Sequence, residues 1–114
     1  MHELSITQQV LEIAVNKATQ VEAKAVKRIN LVIGDMCGLV DDCLQFYFGI
    51  ISQDSIARGA ELSFQRVPIL VKCRRCGSEF SPRQDVWQCP QCQSGEVEVV
   101  AGKELYLESI EVEE

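Results

Sequence analysis

Along the first twenty positions the apolar residues recur with helical spacing. Leu4, Val10, Leu11, Ala14, Val15, Ala18 and Val21 fall on one face, and Gln8, Gln9, Glu12, Asn16 and Gln20 on the other. Ser5 with Gln8 three residues on resembles a capping box, which predicts a helix start beside the N-terminus. In "KRINLVIGD", Ile29, Leu31 and Ile33 alternate with more polar positions, and Gly34-Asp35 closes a strand. "DDCLQFYFGIIS" returns to helical spacing through Leu44, Phe48 and Ile51, with Asp41 or Asp42 suited to the N-cap. "AELSFQRV" is a second strand, with Leu62 and Phe64 on one face and Pro68 as its stop. In the last strand, "KELYLESIEV", the alternation slips at Ser109: Leu105 and Leu107 are odd-numbered, Ile110 and Val112 even. A bulge and burial on both faces account for the slip equally well.

The order is therefore α-β-α-β-insert-β. It predicts an α+β fold of two helices on a three-stranded mixed sheet, formed by residues 1–69 plus 95–114. Residues 70–94 are the insert, a separate lobe with four cysteines and few aliphatic side chains. No internal repeat and no low-complexity stretch is evident. Crossings near Val67-Pro68 and Gly95-Gly102 join the two parts and leave exchange of a lobe within a homodimer open.

At 114 residues and 46 % hydrophobic, the chain can fill a modest core. Its opening lacks a basic n-region, an apolar h-region and a cleavage site, so no signal peptide is expected, and no run reaches the roughly 18 apolar residues of a membrane span. The expected setting is a reducing cytoplasm, without a membrane partner, where paired cysteines read as metal ligands. The net charge of −6 is uneven: residues 1–69 carry −2, residues 70–94 carry +2 and residues 95–114 carry −6. An acidic tail repels phosphate backbones, which argues against nucleic acid and suits either solubility or contact with a protein partner.

"CRRCG" at 73–77 and "CPQC" at 89–92 form C-x2-C-x12-C-x2-C. In each turn the two intervening residues let both sulfurs face one ion. Gly77 can take the positive φ of a tight knuckle, and Pro90 stiffens the other. Four thiolates at about 2.3 Å around a tetrahedral ion make a closed structural zinc site through Cys73, Cys76, Cys89 and Cys92. A lobe this small needs metal binding to supply folding energy. A rubredoxin-like iron site, a redox pair, and a zinc ribbon gripping nucleic acid through Arg74, Arg75 and Arg83 are the alternatives. Cys37 and Cys43 have no matching pair and are expected as core or near-core thiols.

The only histidine, His2, stands next to the α-amine. The Met1 amine, the His2 amide nitrogen and the His2 ring nitrogen can close two fused chelate rings near one plane. Nickel(II) and copper(II) suit that arrangement, whereas magnesium and calcium do not. Glu3 offers a fourth ligand through its amide or its carboxylate. A chance histidine at a frayed terminus explains the same residues.

"MHELSIT", "IGDMCGLV", the cysteine insert and the closing "GKELYLESIEVE" together resemble the HypA/HybF family of nickel metallochaperones, in order and over the whole chain. The resemblance implies that Met1, His2 and Glu3 match the family's nickel-binding start, and that Cys73, Cys76, Cys89 and Cys92 match its structural zinc ligands. It further implies delivery of Ni(II) for [NiFe]-hydrogenase maturation, and in some members for urease. The implied partners are a HypB-type GTPase and a hydrogenase large subunit or other nickel-enzyme precursor. One departure is Gln93, which follows the last cysteine where a glycine is common. The chain has no G-x-x-x-x-G-K-[ST] loop and no paired catalytic acids, so it is not expected to be an enzyme. The rival from another class is a zinc-ribbon module binding protein or nucleic acid, with His2 incidental.

Overall fold

Helix α1 spans Glu3–Gln20 in the computed structural model, which describes residues 3–82 and 86–114. Ser5 therefore lies inside the first turn and is not the cap. The stripe α1 buries runs through Ile6, Thr7, Val10, Ala14 and Ala18. Leu4 and Val21, expected on the inner face, are exposed at the two ends of the segment, where the packed surface has run out. Ile6 sits one turn before Val10 and takes the place expected of Leu4.

Two units make up the chain: Met1–Val32, Gly38–Gln65 and Tyr106–Glu114 form one, and Ile33–Cys37 with Arg66–Leu105 the other. The second is larger than the cysteine insert, because it also takes in residues 33–37, 66–69 and 95–105.

The first sheet has the order β2-β1-β6, with β1 Ala25–Gly34, β2 Glu61–Val67 and β6 Leu105–Glu113. Helix α2, Asp41–Ile51, connects β1 to β2 and packs on α1. Such a crossover delivers a parallel neighbour. The Arg28–Glu61 ion pair (3.5 Å) and the Asp35–Arg66 pair (3.9 Å) advance along both strands in the same sense. Strand β6 is antiparallel to β1: Lys24 N–H donates to the Glu113 carbonyl and Gly34 N–H to that of Glu104. The sheet is thus mixed, as expected.

Ile29, Leu31 and Ile33 of β1 are buried, and so is Val32 between them. A central strand covered on both faces loses its polar alternation, so Val32 escaped the pattern. Toward its start β1 keeps one polar face, where Arg28 also reaches Glu111 (3.8 Å) and the Asn30 amide donates to Ser109 (2.9 Å). In β6 the half-buried positions are Leu107, Ile110 and Val112, so the side-chain phase does change across Ser109. Helix α2 begins after Val40, whose side chain makes no cap hydrogen bond; Asp41 and Asp42 instead fill the first turn, where carboxylates favour the positive end of the helix.

A second sheet, β4-β3-β5, adds to the three strands that the sequence pattern predicts. Strand β3 (Leu70–Cys73) pairs antiparallel with both β4 (Glu79–Phe80) and β5 (Val97–Ala101). Val71, fully buried, stands opposite Phe80 on one side and Val99 on the other. In the same unit two backbone segments meet closely. A Cβ on Gly34 would lie 2.0 Å from the Gly102 carbonyl oxygen, so neither chain could approach the other with a side chain at 34.

Candidate metal centres

Strand β3 ends on Cys73, and the chain then turns back on itself. Gly77 N–H donates to the Cys73 carbonyl (2.9 Å) and Cys73 N–H to that of Ser78 (2.8 Å). The second turn repeats those bonds: Gln93 N–H donates to Cys89 (2.7 Å) and Cys89 N–H to Ser94 (2.9 Å). Gly77 has φ +78° as expected, and its counterpart Gln93 takes φ +62° without glycine's freedom. "CRRCGS" and "CPQCQS" are therefore one C-x-x-C-x-S unit used twice, which corrects the expectation of no repeat. Ser78 and Ser94 are the members that reasoning from the cysteines alone missed; their shared offset was the available signal.

The two knuckles bring four sulfurs within 4.8 Å of one another. Cys73 Sγ and Cys92 Sγ are 3.5 Å apart, as are Cys76 Sγ and Cys89 Sγ. All four are free thiols; a disulfide would need about 2.05 Å. A tetrahedron of sulfurs at about 2.3 Å from its centre has edges of about 3.8 Å, so the cluster is the right size for one soft or borderline ion. Cys73 and Cys89 are buried while Cys76 and Cys92 face solvent.

The thiols are electrostatically unequal. The Ser78 hydroxyl and backbone amide, with the Cys89 sulfur, hold Cys76 down to about 6. The Cys76 backbone amide is the main cause lowering Cys73. For Cys92 the Ser94 amide favours the thiolate, but the Cys73 sulfur, desolvation and the other two sulfurs outweigh it and push the thiol up to about 12. Such a split is what four crowded thiols produce, because not all can ionise until a cation joins them.

Two cations of this lobe stand near carboxylates. Lys72 stands opposite Glu79 in β4 and Glu98 in β5, and Arg74 lies 4.0 Å from Glu98. Arg83 lies outside the described residues.

Of the expected nickel ligands, Met1 and His2 also lie outside the described residues. Glu3 is the first residue of α1, and its carbonyl accepts the hydroxyl of buried Thr7 (2.6 Å). The two unpaired cysteines divide. Cys37 is half-buried and points its thiol at the Glu104 carbonyl (3.3 Å). Cys43 is exposed, not near-core, because it lies next to Leu44 on the helix and faces away from the packed side.

An α+β unit in one chain with a lobe built on four convergent thiols defines a metal-binding protein. Comparison with known proteins makes this specific. Residues 1–112 match the family described as "HypA: Hydrogenase/urease nickel incorporation, metallochaperone, hypA". A Dehalococcoides mccartyi (strain CBDB1) protein named hydrogenase maturation factor HypA is 49 % identical over 114 residues, covering 100 % of this chain and 96 % of its own. A Caldanaerobacter subterraneus protein of the same name is 40 % identical, covering 99 % and 100 %. The fold is shared with a solution structure of the nickel metallochaperone HypA from Helicobacter pylori (TM-score 0.65, 23 % identity, 99 % of this chain and 98 % of that one). The chain belongs to the HypA family of nickel-incorporation metallochaperones; it is a carrier and not a catalyst.

Proposed function

We propose that the chain carries Ni(II) as cargo on Met1, His2 and Glu3, and delivers it to a precursor of [NiFe]-hydrogenase, or of urease, together with a HypB-type GTPase in the cytoplasm. The observation that carries this reading is the sole histidine placed beside the α-amine in a chain of a nickel-incorporation family. The ligands are exchangeable by design: an amine, an imidazole and a carboxylate or amide at a chain end can be replaced one at a time by those of an acceptor. Nickel(II) tolerates the near-planar arrangement they favour.

Cys73, Cys76, Cys89 and Cys92 hold the second metal, Zn(II), as a structural ion. Closed tetrahedral thiolate sites leave no position for an incoming ligand, so this metal stays while the cargo moves. The residue division that follows is a nickel-binding part over residues 1–69 and 95–114 and a zinc lobe over 70–94. The ion pair of Arg74 with Glu98 and the acidic tail support a protein partner over nucleic acid.

Equilibrium dialysis against nickel, on protein with its native first residue, tests the reading. One nickel per chain is expected. His2→Ala should abolish that binding and leave thermal stability unchanged, and extra residues before Met1 should weaken it by converting the amine to an amide. Binding should also fall as pH drops through the imidazole range near about 6.5, since only the neutral ring is a ligand. A His2→Ala protein that bound nickel like the parent would move the site to the thiols.

A further inference from the structure

Helix α2 is apolar on two sides. Leu44 and Phe48 face inward, 1 % and 0 % exposed. Successive residues turn by about 100°, so Cys43, Phe46, Tyr47 and Ile50 form a second stripe at i, i+3, i+4 and i+7. Phe46 is 64 % and Ile50 57 % exposed, and Cys43 is exposed beside them. The Phe46 and Tyr47 rings meet edge to face at 5.7 Å and 66°, a two-ring platform on the helix surface. A helix side that only meets water is filled more cheaply with charged or amide side chains, so a sustained outer stripe of this kind marks an interaction surface.

Charge identifies what fits it. Residues 40–54 contain three carboxylates and no lysine or arginine. The last turn of α2 has no basic residue, so the negative end of the helix dipole is not compensated from within the helix, and exposed Asp54 follows it. Asp42 stands at the other end. A second copy fits poorly: antiparallel pairing of two α2 helices sets Asp42 against Asp54, and parallel pairing sets each aspartate against its twin. The net charge of −6 opposes both.

We propose that this outer face of α2 is a docking site for an apolar helix flanked by lysine or arginine on a partner protein. Phe46 and Ile50 are its anchors, and Asp42 and Asp54 set the charge of what they accept. The proposal does not depend on which metal the N-terminus carries, and its failure would leave the nickel reading intact.

The test uses the full chain and two labelled amphipathic peptides of roughly 18 residues, one built from Leu and Lys and one from Leu and Glu, followed by fluorescence anisotropy. The Lys peptide should bind, more weakly at high salt, and the Glu peptide should not. Phe46→Ser with Ile50→Ser should weaken binding by about tenfold or more, with the circular dichroism and melting temperature of the parent. Asp42→Lys with Asp54→Lys should transfer preference to the Glu peptide. No binding of the Lys peptide, equal binding of both peptides, or unchanged binding by the serine variant would overturn the proposal. So would a parent dimer in sedimentation that Phe46→Ser abolishes, since the face would then belong to a second copy.

Discussion

Gln93 adopts a backbone conformation that its own side chain disfavours. The left-handed region costs a residue with a Cβ roughly 1–2 kcal/mol, and Gly77 meets the same demand in the sister knuckle at no such cost. Gln93→Gly should therefore raise the stability of the cysteine lobe, by about 0.5–1 kcal/mol once glycine's extra freedom in the unfolded chain is subtracted. Gly77→Ala should lower it by about 1–2 kcal/mol. Thermal unfolding of the lobe, followed by Trp87 fluorescence, reads both changes. At this scale the four-cysteine cluster is legible because the spacing C-x2-C-x12-C-x2-C is the one tetrahedral thiolate chemistry calls for. Val32 and Cys43 are not, since burial of one residue depends on neighbours that its own segment does not contain.

Within one helix, α2 offers a clean comparison of inner and outer positions. Phe48→Ala deletes a fully buried ring and should cost about 3–5 kcal/mol, a large share of a typical domain's stability. Cys43→Ala, on the solvent side of the same helix, should be nearly silent. Urea unfolding with an unchanged slope would register the first as a lower midpoint; a small effect at Phe48 would mean the core is not where the structure puts it. The same helix shows why patterns read elements better than surfaces. Leu44, Phe48 and Ile51 were enough to reveal a helix, whereas the second stripe was hidden by its own apolarity. Strands β3 to β5 are hidden for another reason: they are two to five residues long, too short to show an alternation, and "LVKC" runs directly into the cysteine motif.

For the molecule as a whole, the thiol cluster and the sheet of the first unit make separable demands. Cys89→Ala leaves three ligands and should release the metal and melt the lobe, while the helical signal of α1 and α2 persists; full metal content by elemental analysis would contradict this. Metal uptake should release protons, because Cys92 at about 12 is protonated near neutrality while Cys76 at about 6 already is not. The sign follows. Affinity rises with pH as protons cease to compete, and it falls more steeply below about 6, where Cys76 of the metal-free site is protonated as well and one more proton competes. Calorimetry in buffers of different ionisation enthalpy would count the protons. The α+β class and the mixed sheet were legible from the order of elements, since a helix between β1 and β2 dictates a parallel pair.

The pairing of β1 with β6 sets a timetable. Strand β1 starts at Ala25 and β6 at Leu105, so 80 residues must be polymerised before the central strand meets its second neighbour. At roughly 5–20 residues per second that is about 4–16 s, during which β1 and β2 can already stand side by side. On the ribosome β1 therefore waits for its second neighbour until β6 has been made. Chains cut short before Leu105 would lack β6 and leave one edge of β1 unpaired, so only chains that reach the last strand complete the sheet.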